Sequence, residues 1–296
     1  MNLSTVFAKM AMLILIMLLG YLCARIGITG PEFNKRVTPL MVTVLLPATI
    51  LNSVLGAPAF QAIEIVDYIL VLTAMVALQM LPAWLLPRLL RTRGEDAGAM
   101  RLTTAFGNVG FVGLPVVAAI FGEEMVFFAS LCNIPFNLAL YSSSASQLSP
   151  EGGRVRWQDV LNAPVIATLL SIVLLLTHVP VPGVIADTIS AVSGVTIIGT
   201  SLGAISVRAA LTDWRAYAVA AVRLLVCPLL TWAVLRPFVS GDLLGIPVLL
   251  AACPMAMLVT ALCLQYDRSD AFASKCIFIN TILSAATIPL VIWLLF

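Results

Sequence analysis

The chain has 296 residues, 61% of them hydrophobic and 10% charged, with a formal net charge of +2 and a mean hydropathy of +1.08. A soluble domain carries about 25% charged residues, so the polar surface here is too small to coat a water-soluble globule. The net charge is also too small to suggest nucleic acid as a partner. Apolar residues come in runs of roughly 20, the length that crosses about 30 Å of hydrocarbon. Backbone polar groups in lipid must be bonded within their own segment, so these runs are expected as helices. The alternating pattern of a membrane β-barrel is missing.

In chain order the predicted spans are 4–24, 36–55, 64–88, 99–121, 125–147, 160–178, 184–206, 215–236, 243–265 and 271–295. The apolar stretch 6–23 is followed by no small-residue cleavage site, so it reads as the first span rather than a removed signal peptide. Basic residues gather in the odd-numbered loops: Arg25, Lys35 and Arg36, then Arg88, Arg91, Arg93 and Arg101, then Arg154 and Arg156. Arg208 with Arg215, and Arg268 with Lys275, continue the series. The even-numbered loops hold Glu64, Asp67, Glu123, Glu124, Asp187 and Asp242, with Arg236 as the lone nearby base. Lys and Arg mark cytoplasmic loops, so ten crossings with both termini on the non-cytoplasmic side are expected.

Five spans (residues 1–148) precede a polar linker (149–159) and five follow it (160–296). An odd number of helices per half turns the second half upside down relative to the first, the arithmetic of an inverted repeat. FFASLC at 127–132 and AFASKC at 271–276 share four of six residues at the starts of the fifth and tenth spans.

The fourth and ninth spans correspond in the two halves, and both carry helix breakers. Gly107, Asn108, Gly110, Phe111, Gly113 and Pro115 crowd the fourth, and Pro254 and Met255 stand in the ninth. Gly and Pro weaken a helix from opposite directions, so the fourth span is expected to unwind across this cluster at mid-membrane. Opened turns expose backbone N–H groups, and half-helix N-termini carry partial positive charge, which suits an anion. The alternative is a packing kink.

Other polar residues within spans are Pro47, Thr49, Asn52, Asn133, Pro135, Asn137, Thr260, Gln265, Asn280 and Ser284. A lone Asn or Ser more often bonds a neighbouring helix than a substrate. Asp67 would be a proton-coupling candidate if buried. Arg223 lies deep in the eighth span, where a charge is either functional or a structural or snorkelling side chain. The six cysteines show no CxxC pairing and read as packing residues.

The string from Asn108 to Pro115 resembles the N-x-G-F-x-G-L-P signature of the auxin efflux carrier family, whose bacterial members include malonate and malate permeases. Leu46-Pro47-Ala48, Pro254, Tyr266-Asp267, Ser284 and Thr287-Ile288-Pro289 agree with it, while Val195-Thr196-Ile197-Ile198 stands where many members have a Pro. The resemblance implies a bacterial inner-membrane carrier with two inverted five-helix repeats. It further implies a scaffold of helices 1, 2, 6 and 7, often dimeric, and a mobile transport domain of helices 3–5 and 8–10. The organic-anion site would lie at the crossing of helices 4 and 9, with Asn108 through Pro115 and Pro254 transferred directly, and Asn137 and Asn280 by extension.

The expected function is secondary transport of a small organic anion by alternating access, with Asn108 and the N–H groups near Gly110 and Gly113 holding a carboxylate. No cofactor or metal is expected; H+ or Na+ coupling and uniport stay open. Asn52, Asp67 and Arg223 are the coupling or support candidates. One His and no mid-span carboxylate argue against an intramembrane enzyme, and no Walker A motif is present. A channel or a non-transporting sensor is the competing reading.

Overall fold

The computed structural model describes residues 15, 22, 26, 40–55, 62–148, 161–177, 179, 181–193, 213–266 and 268–295. Most of the first span, the whole linker 149–159, His178 and 194–212 lie outside the described residues. Within them the chain is helical apart from turns and one isolated bridge. Among the described residues, four helices are long and apolar enough to cross a membrane: Ile63–Leu89, Met125–Leu148, Trp214–Leu235 and Ala271–Leu295. They leave large apolar side chains such as Leu70, Leu85, Ile282 and Trp293 exposed, a surface that lipid rather than water covers.

Where the residues are described, the spans read from the sequence match helices within a few residues, except that the fourth and ninth are divided. Most of the first span and the end of the seventh fall outside that comparison. The fourth starts at Glu95 rather than near 99, because Glu95 and Asp96 sit in its first turn, where carboxylates favour the positive end of the helix. It runs only to Ala105, and a π turn at Val109–Gly113 opens the next segment, Leu114–Phe121. The ninth span divides likewise into Asp242–Ala252 and Met257–Gln265. Each leading half has 11 residues, a rise of about 16 Å, roughly half the hydrocarbon thickness. Both follow a glycine of positive φ, Gly94 at 67° and Gly241 at 60°, a conformation most side chains resist.

Three π turns share a cause. Met41–Leu45, Val109–Gly113 and Val222–Val226 are followed by Leu46-Pro47, Leu114-Pro115 and Cys227-Pro228. Each proline lacks an N–H and crowds the carbonyl four residues earlier, which here falls within the widened turn. Pro82, Pro87, Pro247 and Pro289 sit inside α-helices without such a turn.

The helix of the predicted third span, Ala62–Leu89, packs on the leading halves of both divided helices and on that of the predicted eighth, Trp214–Leu235. The helix of the predicted tenth, Asp270–Leu295, packs against the eighth and the leading halves. A single apolar core joins them, including Met75, Phe106, Phe127 and Leu250. The short helix of the predicted second span, Leu46–Asn52, packs instead on those of the sixth, Ala163–Thr177, and seventh, Gly183–Ser193.

Candidate functional site

The two interruptions meet. Gly107 and Met255 form an antiparallel bridge, in which the Asn108 N–H donates to the Pro254 carbonyl at 2.6 Å and the Ala256 N–H to the Phe106 carbonyl at 2.9 Å. This is the non-hydrogen-bonded type of pair, so the polar groups of Gly107 and Met255 point away from each other. Among the described residues, the N–H groups of Gly107, Gly110 and Met255 have no hydrogen-bond partner.

Asn108 organises one side of the crossing. Its Oδ1 accepts the Phe111 N–H at 3.2 Å, capping the trailing half of the fourth helix. Its carbonyl accepts the N–H groups of Gly113 at 2.9 Å and Val112 at 3.2 Å. Its Nδ2 donates to no described residue. A cap of this kind contributes about 1 kcal/mol while leaving the amide nitrogen available.

The expected unwinding across the whole cluster is corrected. Only Phe106 to Asn108 leave the helix, and Val109 onward is helical again. Gly113 therefore offers no free N–H to a carboxylate, since that group is bonded to Asn108. Gly113 is a packing position, its missing Cβ lying 2.7 Å from Leu250 Cδ2. Gly110 keeps its N–H open, and a Cβ there would lie 3.1 Å from Leu46 Cδ1 of the second helix. Phe111 and Pro115 are half-buried beside it, Pro115 at the start of the trailing helix. Pro254 and Met255 are buried at the crossing.

Arg223 holds the opposite side. It is fully buried at 0% exposure, so it does not snorkel. Its Nε donates to the Cys253 carbonyl at 3.0 Å and Nη1 to the Ala105 carbonyl at 2.9 Å. Longer contacts reach the Thr104 and Leu250 carbonyls, each at 3.4 Å, and Nη1 also donates to Gln79 Oε1. A Cβ at Gly107 would land on the guanidinium. Arg223 thus ties together the C-terminal ends of both leading halves. Gln79 escaped the sequence reading, although it is the lone amide deep in the third span, and the rule that flagged Arg223 would have found it.

The remaining candidates lie apart from the crossing or are spent on local bonds. Asn137 Nδ2 donates to the Asn133 carbonyl at 2.7 Å, and its Oδ1 accepts from Asn162 at 2.9 Å. Asn280 is fully buried, with Nδ2 on the Cys276 carbonyl and Oδ1 without a partner. Asp67 is exposed near the start of the third helix, which removes the burial its coupling role required. Asn52 lines a separate cavity of about 470 Å³ with Asp187, Ser190 and Leu174, away from the crossing residues.

A charged cluster joins the start of the fourth helix to the eighth, tenth and intervening loop. Arg215 pairs with Asp96 at 2.8 Å and Asp213 at 3.2 Å, Lys275 approaches Asp213 at 3.6 Å, and Arg268 pairs with Glu95. Burial raises the Asp213 carboxyl, but the Arg215 hydrogen bonds and charge outweigh it and hold the group below the usual carboxylate range.

The chain matches a family model described as membrane transport protein, over residues 5–154 and 151–292. An uncharacterized transporter of Methanothermobacter thermautotrophicus is 28% identical over 294 residues, covering 94% of each chain. Another, from Methanocaldococcus jannaschii, is 24% identical over 297 residues, covering 95% of this chain and 96% of its own. The match runs along nearly the whole sequence and includes both interrupted helices, so the chain is a multi-pass membrane protein belonging to the membrane transport protein family, that of the auxin efflux carriers.

Proposed function

We propose that the protein is a secondary carrier of a small organic anion, such as a mono- or dicarboxylate, that binds at the crossing of the fourth and ninth helices. The observation that carries this reading is the Asn108 side of the crossing. There the Asn108 Nδ2 and the Gly110 N–H are uncommitted donors beside the N-terminus of a helix. Such donors with a helix dipole behind them favour negative charge.

The arrangement around the crossing supports alternating access in a cell membrane, with ten helices in two inverted halves. The divided helices run antiparallel where they meet, and their leading halves share a length, a positive-φ glycine before them and an extended residue after them. The third, fourth, fifth, eighth, ninth and tenth helices pack as one group and the second, sixth and seventh as another, with the fifth also touching the second and sixth. A transport domain moving against a dimeric scaffold fits that division.

The test is carboxylate counterflow in proteoliposomes with Asn108→Ser, which keeps a capping oxygen but removes Nδ2. Losing a hydrogen bond to a charged group costs about 1.5–3 kcal/mol, so affinity is expected to fall roughly ten- to hundredfold. Unchanged uptake and affinity would remove Asn108 from the site.

A further inference from the structure

Resting on the carrier function above, we propose that the Arg223 guanidinium is a built-in cation standing where broken-helix carriers hold a mobile coupling ion, so that anion transport here runs without sodium. In such carriers, unwound carbonyls and half-helix C-terminal ends converge on the coupling cation. Here the oxygens of Thr104, Ala105, Leu250 and Cys253 converge with Gln79 Oε1, and all five accept from Arg223. Neutral oxygens gathered in this way are the donor set of a hard cation.

The charge arithmetic agrees. Each helix C-terminus carries about half a negative elementary charge, so two leading halves ending together present about one. A single guanidinium balances them, and no carboxylate is among its hydrogen-bond partners. Arg keeps its charge at any physiological pH and presents five N–H groups in a fixed fork, which makes the replacement permanent. Gln79 turns its oxygen inward and leaves Nε2 buried without a partner, an orientation that a cation demands. Gly107 supplies the room, since any side chain there would displace the guanidinium. With its donors spent on protein oxygens, Arg223 is a positioning residue rather than a ligand of the transported anion.

The experiment compares sodium chloride with choline chloride at equal ionic strength, fixed pH and clamped membrane potential. Wild-type carboxylate counterflow is expected to change less than about twofold between the two salts, and the melting temperature of the purified protein not to rise with sodium. Arg223→Ala is expected to lose at least about tenfold in rate, and to recover rate and melting temperature when sodium or millimolar guanidinium chloride is added. Arg223→Lys, which keeps the charge, stays indifferent to sodium. A wild-type rate that rises about tenfold with sodium overturns the proposal, as does a folded Arg223→Ala protein that works at full rate in choline. Should Arg223→Ala not fold, the wild type and Arg223→Lys decide the matter by the same comparison. Should no carboxylate be transported, the carrier reading fails, while the sodium-dependent melting of wild type and variants still tests the cation assignment.

Discussion

The fourth and ninth helices break at matching places by different means. In the ninth, Pro254 disfavours helical geometry in the residue before it, and Cys253 takes φ −63° and ψ 145°. In the fourth, Phe106 is extended at φ −105° and ψ 114° with no proline after it. Gly107 instead admits the guanidinium, and Asn108 starts the next helix with its own side chain. One break is made by excluding helix, the other by rewarding departure from it. Only the second leaves a side-chain donor uncommitted, the Asn108 Nδ2, and the proposed anion site therefore centres on the fourth helix.

That contrast is broken most severely at Gly107. Gly107→Ala should displace Arg223 and destabilise the protein by about 3 kcal/mol or more, because a buried charge loses its partners. Pro254→Ala is expected to do far less, since the bridge uses only the Pro254 carbonyl, which Ala retains. A cost near 1 kcal/mol is anticipated from the freer unfolded chain. Melting temperatures in detergent check the pair, and equal losses would mean that the two breaks are held alike.

Gly94→Ala and Gly241→Ala sharpen the likeness between the two leading halves. Neither Cβ meets an atom within 4 Å, so the cost is the positive-φ backbone alone, about 1–3 kcal/mol at each position. Clearly unequal shifts would argue against equivalent halves.

The smallest effect is at the charged cluster. Asp213 titrates below its unfolded value, so its contribution is present above that value and fades as pH falls through the folded one. Asp213→Asn should melt slightly lower than wild type at neutral pH, by less than about 3 °C. The gap should close in acid. A gap independent of pH would assign the effect to packing.

Much of this was legible in the sequence because lipid leaves few choices: long apolar runs must be helices, and Gly, Asn and Pro within them must matter. The extent of the break was not legible. Gly110, Gly113 and Pro115 are weak helix formers singly, yet Asn108 captures the Phe111, Val112 and Gly113 N–H groups and restores a helical turn. Nor did spacing reveal that Arg223 and Gln79 face each other, since 144 residues separate them. Their pairing is a product of tertiary packing. Glu95 and Asp96 were masked by the basic residues around them, and only their partners in the eighth helix and the loop before the tenth explain them.

The most direct test of an anion site at the crossing is equilibrium binding of a labelled carboxylate to purified wild-type protein and to Asn108→Asp. Asp caps a helix as well as Asn, so the fold should survive, but the substitution replaces the Nδ2 donor with a negative charge. Binding is predicted to be lost from the variant while its melting temperature stays near wild type. A folded Asn108→Asp protein that binds the carboxylate as tightly as wild type would contradict the account.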